Sequence, residues 1–283
     1  MALKFRRKKV EDPAAGLRDV LGPNTELPTF PTTVIKSLEV LRDSDSDAKD
    51  VAKVVGADPG LTVRLLKLVN SAGFSPAKPV NSVDQAVAVA GFGAVESLVL
   101  SVGVNAALPK NAVEGFDQAR FWRTASRRAT TARAFAGQLH PVSASLSFTA
   151  GLLQDMAVPL IAGARQDYGP VLQAWHEGGE DLDQLEASAF EWNHGSIAEM
   201  LCSQWELPAA LASAIGGHHS DSDDEEVPAG VLLAAPIRES DRPDVIEGIV
   251  TRASEQYGMA ADEVVELLAA AETEAVEVAS LFV

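Results

Sequence analysis

Cysteine is almost absent from this chain, since Cys202 is the only one among 283 residues. A single cysteine excludes an intramolecular disulfide and a cysteine-rich zinc ribbon, and it is typical of proteins in a reducing compartment. Long hydrophobic runs are also missing: no window approaches 18 consecutive apolar residues, and the N-terminus has no apolar stretch of signal-peptide length. The sequence therefore predicts a soluble protein without a membrane span, and the cytoplasm is its expected location.

Basic residues are scarce outside the first ten positions. Those ten hold five lysines and arginines and no acid, whereas the remaining residues hold 18 basic and 40 acidic side chains. A body this negative repels phosphate backbones, because duplex binding normally draws on several Lys or Arg contacts. We therefore expect no nucleic-acid partner. The basic tip could touch an anionic membrane surface, but a solvated tail is the simpler interpretation.

Strand signals are scarce as well, whereas apolar residues recur at helical spacing from Pro31 to the C-terminus. Apolar residues make up 47% of the chain, which is enough for a core that needs neither metal nor disulfide to fold. The sequence predicts an all-α fold. Gly91-Phe92-Gly93 predicts a turn between two of its helices, and the stretch from Pro109 to Asp117 is the best boundary between two lobes.

The predicted organisation has three parts: residues 1–26 as a basic tip and linker, residues 27–110 as an N-terminal helical lobe, and residues 111–283 as a C-terminal lobe. The last segment is predicted to be an amphipathic helix. Its apolar positions recur on a seven-residue step, at Val264, Leu268, Ala271, Ala275, Val278 and Phe282. So short a repeat favours packing against its own domain over a seam between two copies, and a homodimer stays open as the alternative.

Four polar residues are candidates for chemistry, because carboxylate and imidazole are metal ligands and general acid/base groups. They are Asp155, His194, His218 and His219. The alternative is structural: the paired histidines would end a helix, where imidazole complements the helix dipole, and His194 would begin one. The motifs of a phosphate-binding loop, a zinc protease and a serine-hydrolase elbow are missing. Cys202 lies among apolar residues and is interpreted as core.

The segment from Ala48 to Ser71 has the outline of a DNA-binding helix-turn-helix. The residues that would read DNA are Thr62, Arg64, Lys67 and Asn70. An ordinary helical hairpin produces the same outline, and the negative charge of the body favours that interpretation.

A series of motifs follows one order along the chain: Leu27-Pro28-Thr29-Phe30-Pro31, Asp58-Pro59-Gly60-Leu61-Thr62, Asn70-Ser71, Ser82-Val83, Phe121-Trp122, Gly151-Leu152-Leu153-Gln154-Asp155, His194, Trp205, Leu207-Pro208 and His218-His219. Taken together, these motifs resemble the HDOD domain, an output domain related to the HD-type metal phosphohydrolases. The resemblance covers roughly residues 27 to 235.

The resemblance implies an N-terminal helical lobe packed on a C-terminal lobe shaped like an HD hydrolase. In the active relatives a first His, a His-Asp pair and a later Asp hold the metal. The positions that align with them here read Thr124, Gln154, Asp155 and Ala235. Because glutamine and threonine replace imidazole poorly, and the histidines are distant in sequence, we expect no metal, no cofactor and no catalysis.

The resemblance further implies a bacterial signal-transduction module, a pseudoenzyme that recognises a protein partner or a small signalling ligand such as a cyclic dinucleotide. The expected binding cleft consists of Asp155, His194, His218 and His219, together with Asn70 and Ser71 at the end of an N-lobe helix. Two alternatives stay open: a residual metal-dependent phosphohydrolase that uses the aspartate and the three histidines, and a DNA-binding regulator that uses the hairpin at 48–71.

Overall fold

The computed structural model describes residues 12–23, 25–74, 76–109, 116–178, 181–220, 226–238 and 243–282. Within these ranges the chain forms fifteen α-helices and two short 3-10 turns, with no β-strand, so the all-α prediction is confirmed. The basic tip and most of the predicted lobe boundary, residues 110–115, lie outside the described residues. The helices are α1 Pro13–Leu21, α2 Thr32–Arg42, α3 Ala48–Val55, α4 Pro59–Val69, α5 Val83–Ala107, α6 Gln118–Leu139, α7 Ala144–Leu153, α8 Ala157–Ala164, α9 Gly169–His176, α10 Leu182–Phe190, α11 His194–Gln204, α12 Ala209–Gly216, α13 Ala229–Ala234, α14 Pro243–Tyr257 and α15 Ala261–Ala279.

The N-terminal helices begin at strong local signals. Asp47 starts α3 with a capping box, in which its side chain accepts the Asp50 backbone N–H while Asp50 reaches back to the Asp47 backbone. Asp58 starts α4 by accepting two backbone N–H groups, and Pro59 occupies the first helical position, where its missing N–H costs nothing. Helices α2, α3 and α4 all pack against α5, which is the centre of this lobe.

Helix α5 is bent at Gly91, which has a φ of 77° inside an otherwise helical segment. Only glycine adopts this conformation without strain, so the break falls where the sequence predicted a turn. The second half of α5 reaches the C-terminal lobe and packs against α7.

Helix α6 is the central helix of the C-terminal lobe, and α7, α13 and α15 pack around it. Its contact with α7 is close because Gly151 faces the backbone of α6, where a Cβ would lie 2.9 Å from the Arg128 carbonyl oxygen. Gly230 on α13 approaches the same helix, and a Cβ there would overlap the Ala132 carbonyl oxygen. These glycines bring α7 and α13 close to α6.

Residues 13–21, which the sequence interpretation placed in a linker, form helix α1. Its Leu17 and Leu21 are buried, and the helix packs against α8 and α11 of the C-terminal lobe. The segment after α1 is also anchored there, because Trp205 Nε1 donates a hydrogen bond to the Pro28 carbonyl (2.7 Å) and the ring of Phe30 lies 4.6 Å from that of Trp205. The chain therefore crosses the C-terminal lobe before it enters the N-terminal one.

The terminal helix α15 packs on its own chain, against α6 and α14. Four of its heptad positions are buried, and the residues after it reach both lobes. Phe282 stacks on the buried Trp122 of α6 at 4.4 Å, while Arg64 of α4 donates Nε–H to the Leu281 carbonyl (2.7 Å). The end of the chain thus connects the two lobes.

Two segments of the described residues, Val83–Ala107 and Pro141–Ala164, are long and apolar enough to span a membrane by composition alone. Their most apolar windows are 56% and 83% buried inside the molecule. Such burial is typical of core helices in a soluble protein.

Candidate functional site

The aspartate and the three histidines singled out in the sequence come together at one place. Asp155 follows α7, His194 is the first residue of α11, and His218 and His219 follow the C-terminal end of α12. Asn193 positions the first of these histidines, because its side chain caps α11 by accepting the Ser196 N–H (2.9 Å). The tertiary fold therefore gathers residues that the sequence separates by up to 64 positions.

The three imidazole rings converge through their Nε2 atoms. His194 Nε2 lies 3.2 Å from His218 Nε2 and 3.0 Å from His219 Nε2. Asp155 Oδ1 lies 3.4 Å from His194 Nε2 and 3.5 Å from His218 Nε2. His194 Nε2 is thus surrounded by the other two Nε2 atoms and a carboxylate oxygen of Asp155.

A buried glutamate lies behind His194. Glu186 of α10 has no exposed surface; its Oε2 lies 2.7 Å from His194 Nδ1 and also accepts the His194 backbone N–H at 2.7 Å. The Tyr168 hydroxyl donates to its other oxygen. Burial by itself would lower the pKa of His194, but Glu186 and Asp155 raise it to about 10. His194 is therefore an imidazolium at neutral pH, held between two carboxylates.

The other two imidazoles are neutral. Burial lowers the pKa of His218, and burial together with the neighbouring His218 and His194 lowers the pKa of His219 well below its usual value. His218 Nδ1 lies 2.6 Å from the Ile215 carbonyl, which can only accept, so Nδ1 carries the proton and Nε2 presents its lone pair. The His194 Nε2–H group thus faces the lone pair of His218 Nε2 and the carboxylate of Asp155.

Arg128 holds the aspartate from the other side. Its guanidinium Nη1 donates to Asp155 Oδ2, and its Nε donates to the Ile237 carbonyl (2.7 Å). Both side chains are nearly inaccessible, with 6% of Arg128 and 11% of Asp155 exposed. Burial alone would raise the pKa of Asp155, but the charge of Arg128 and the hydrogen bond from His194 hold it well below its usual value. A permanent cation therefore neutralises the carboxylate.

These groups border a cavity of about 150 Å³, which we call the histidine cleft: Arg128, Asp155, His194, His218 and His219 form its floor. Its rim carries Trp175, Arg238 and Arg252. Arg238 is paired with Asp181 and lies 5.9 Å from the Trp175 ring. Arg252 Nε donates to Gln256 (2.9 Å), and no carboxylate pairs with it among the described residues. The opening thus combines an aromatic face with guanidinium groups.

The four positions aligned with HD metal ligands do not form a complete metal centre. Thr124 is buried, Ala235 lines the cleft without a donor, and the buried Gln154 does not line the cleft and has neither amide atom hydrogen-bonded within the described structure. Arg128, one helical turn after Thr124, places its guanidinium against Asp155, the one aligned position that keeps a ligand side chain. The residues present therefore do not fit the HD ligand set.

The histidines themselves fit a single ion. All three offer a ligand atom within 4.8 Å of the others, compared with roughly 3.4 Å between nitrogens around a tetrahedral zinc. Two of them present Nε2 while a carboxylate or carbonyl engages Nδ1, which is how metal-binding histidines are usually oriented. Such an ion would have to displace the His194 proton. The separation of the histidines in sequence, on which the expectation of no metal rests, does not separate them in the fold.

Asn70 and Ser71 do not line the histidine cleft. Asn70 connects the end of α4 to the following loop, because its side chain accepts the Val80 N–H (2.9 Å) and donates to the carbonyls of Leu66 and Val80. Ser71 is buried, and its hydroxyl has no partner within the described structure. Of the six residues predicted to form the cleft, the structure brings four together.

Sequence reasoning missed Arg128 and Glu186, the two charged residues that decide the protonation of the cleft. Arg128 could have been found, because it lies four residues after Thr124 and therefore on the same face of α6. Glu186 carries no such signal, since α10 and α11 are separated by a loop whose path the sequence does not specify.

The hairpin formed by α3 and α4 uses its candidate DNA-reading side chains internally. Thr62 Oγ1 donates to the Val55 carbonyl (3.2 Å), Arg64 is bonded to Leu281, and Asn70 holds the loop at Val80. Three of the four predicted readers are therefore already hydrogen-bonded within the chain.

Similar proteins are found by sequence and by structure. A protein from Treponema pallidum (strain Nichols) without an assigned function is 24% identical over 197 residues, which are 69% of this chain and 38% of that protein. The chain therefore spans well under half the length of this relative. A provisionally assigned phosphohydrolase from Shewanella amazonensis SB2B has 23% identity and a TM-score of 0.75, with 95% of this chain and 98% of that one covered.

Two further solved structures share the fold. An HDOD domain protein of unknown function from Geobacter sulfurreducens has a TM-score of 0.68 and 22% identity over 90% of this chain and 95% of its own. A provisionally assigned signal transduction protein from Marinobacter aquaeolei VT8 has a TM-score of 0.66 and 21% identity, with 97% of this chain and 63% of that chain covered. A family model described as the HDOD domain matches residues 27–221, slightly less than the sequence resemblance suggested. The chain belongs to the HDOD domain family.

Proposed function

We propose that this protein is a non-catalytic signalling module in which the histidine cleft recognises a small ligand or a protein partner. The observation that carries the proposal is the buried pair of Arg128 and Asp155. A guanidinium has no vacant coordination position and cannot activate water as a metal ion does, and its fixed charge repels a divalent cation from the neighbouring carboxylate. The cleft is thus built around an internal cation instead of a catalytic metal.

The chemistry of the rim indicates what such a cleft would recognise. Trp175 offers an aromatic face, and Arg252 is a guanidinium without a carboxylate partner among the described residues. Aromatic stacking together with an arginine suits a nucleotide, whose base stacks and whose phosphate accepts two parallel hydrogen bonds. A cyclic dinucleotide is therefore the first small ligand to test, and an acidic segment of a partner protein is the macromolecular alternative. The signalling role assigned to the Marinobacter protein supports a regulatory function of this kind.

Isothermal titration with cyclic di-GMP and cyclic di-AMP tests the small-ligand form of the proposal. We expect saturable binding that weakens at least tenfold in Arg252→Met. Arg123→Met is the matched control, because Arg123 is exposed on α6 and does not line the cleft. Two results together would count against a recognition role for the cleft. The first is no heat of binding with either nucleotide, and the second is that the unchanged protein captures no protein from a bacterial lysate that Arg252→Met fails to capture.

A second candidate function follows from the convergence of the three imidazoles, which we propose could hold one transition-metal ion in a residual phosphohydrolase. The bound ion would supply Lewis acidity, while the chain's own residues would orient the site: Glu186 and the Ile215 carbonyl fix the rings of His194 and His218. Elemental analysis of purified protein decides between the candidates. Stoichiometric Mn, Fe, Ni or Zn, with phosphodiesterase activity that is lost in Asp155→Ala, would favour the hydrolase; metal-free protein would favour the signalling module.

A further inference from the structure

We propose that the protein has a second ligand site, in a cavity between the two lobes, that takes a compact and uncharged apolar molecule. This inter-lobe cavity measures about 270 Å³ and is walled by α4 and α5 of the N-terminal lobe and by α6 and α7 of the C-terminal lobe. It shares no lining residue with the histidine cleft. The proposal does not depend on the function of that cleft.

The walls are mainly apolar and aromatic. Leu68 and Phe74 face the cavity from the end of α4 and the loop after it, Ala94 from α5, and Phe148 from α7. Such a wall excludes water and favours a ligand that buries hydrocarbon surface. The volume limits the ligand to a compact molecule, on the scale of two or three aromatic rings.

The charge at one end of the cavity is already balanced. The Arg133 guanidinium lies 5.3 Å from the Phe74 ring and 5.5 Å from the Phe148 ring, and it donates through Nη2 to Glu274 of α15. Glu274 is buried, and its other oxygen has no partner within the described structure. An anionic ligand would bring a second acid to this guanidinium beside a buried carboxylate, so an uncharged ligand is favoured.

A few polar groups can orient the ligand. Ser145 lines the cavity, and its hydroxyl has one weak side-chain contact, 3.4 Å from Ser97 Oγ. Ser97 is already engaged, since it donates to the Gly93 carbonyl (2.8 Å) and accepts from Thr149 (2.5 Å). The Ser145 hydroxyl and the remaining N–H groups of Arg133 are therefore available to a single carbonyl, hydroxyl or amine on an otherwise apolar ligand.

The location gives the site a means of affecting the arrangement of the lobes. The loop before Phe74 is held by α15: Glu277 accepts the Ala72 N–H (2.7 Å), and Glu274 lies so close to Gly73 that a Cβ there would overlap its carboxylate. A ligand between Phe74 and Phe148 would thus contact the loop after α4 in the N-terminal lobe and helix α7 in the C-terminal lobe. It would also contact Arg133, whose ion-pair partner belongs to α15. We expect occupancy to strengthen the docking of α15.

Two fluorescent probes with the same ring skeleton test the proposal. N-phenyl-1-naphthylamine is uncharged, and 8-anilino-1-naphthalenesulfonate adds a sulfonate. We expect the uncharged probe to bind the full-length protein in one saturable step, at least tenfold more tightly than the sulfonate, and to slow hydrogen exchange in α15. In Glu274→Gln, which frees the charge of Arg133, the preference for the uncharged probe should shrink at least threefold.

Cavity-filling variants locate the binding. Ala94→Leu should weaken binding of the uncharged probe at least tenfold. If that variant does not fold, Ala90→Leu replaces it, because it fills the same cavity from another turn of α5 and should cause the same loss. Ala106→Leu is the matched control on the exposed surface of α5 and should bind as the unchanged protein does. Equal binding by filled and control variants, or tighter binding of the sulfonate by the unchanged protein, would overturn the proposal.

Discussion

Replacing Arg128 with methionine should destabilise the protein strongly while leaving its shape intact. Methionine fills most of the same space but removes the charge that neutralises Asp155, of which only 11% is exposed. Breaking a buried ion pair by removing one partner costs about 3–5 kcal/mol, because the remaining charge stays buried without compensation. The Ile237 carbonyl also loses its donor, at about 1 kcal/mol.

The expected value lies toward the lower end of that range. The His194 imidazolium, 3.4 Å from the other oxygen of Asp155, still neutralises part of the charge. We therefore expect Arg128→Met to lower the free energy of unfolding by about 3–4 kcal/mol. A domain of ordinary stability, about 5–15 kcal/mol, survives this loss.

Urea unfolding followed by circular dichroism measures the effect, and a double-mutant cycle with Asp155→Asn isolates the pair. We expect Asp155→Asn to cost less in the methionine background than alone, with a coupling energy of about 2 kcal/mol or more. Arg123→Met on the exposed face of the same helix should change stability by less than about 0.5 kcal/mol. A methionine variant within 1 kcal/mol of the unchanged protein, with no coupling, would refute the assignment of Arg128 as the internal counter-charge.

Three other predictions concern the loop, the pH response and the hairpin. Asn70→Ala should lower stability by about 1–3 kcal/mol, because it leaves the buried Val80 N–H without its acceptor, yet ligand titrations at the histidine cleft should not change. The folded-state pKa of His194 is raised to about 10, so the stability that this residue contributes is fully present below its unfolded-state pKa near 6.5 and is lost as the pH rises through 10. Unfolding measurements on chelator-treated protein should show the free energy of unfolding falling over this pH range. His194→Gln should flatten the dependence. Labelled duplex DNA should show no mobility shift with the protein at moderate salt, whereas a sequence-selective, salt-sensitive complex would revive the reading of residues 48–71 as a DNA-binding hairpin.

The sequence determined the helices and the family. The signals for the helices are local. Asp58 followed by Pro59 marks the start of α4, and Gly91 marks the break in α5, since each acts on the backbone within a few residues of itself. The seven-residue step of α15 likewise identified the face that the structure buries. The family could be recognised because the motif order is a property of the chain alone.

The protonation of the site was decided by tertiary structure. His194 is cationic because α10 places Glu186 behind it, and Asp155 is ionised because α6 places Arg128 beside it; residues that are 8 and 27 positions apart show no periodic signal that would pair them. The docking of α1 has the same origin, since an apolar helix face does not specify which other face will cover it. Local rules govern which segments become helical, whereas the partners of each buried charge depend on which helix faces meet, and only the folded chain decides that.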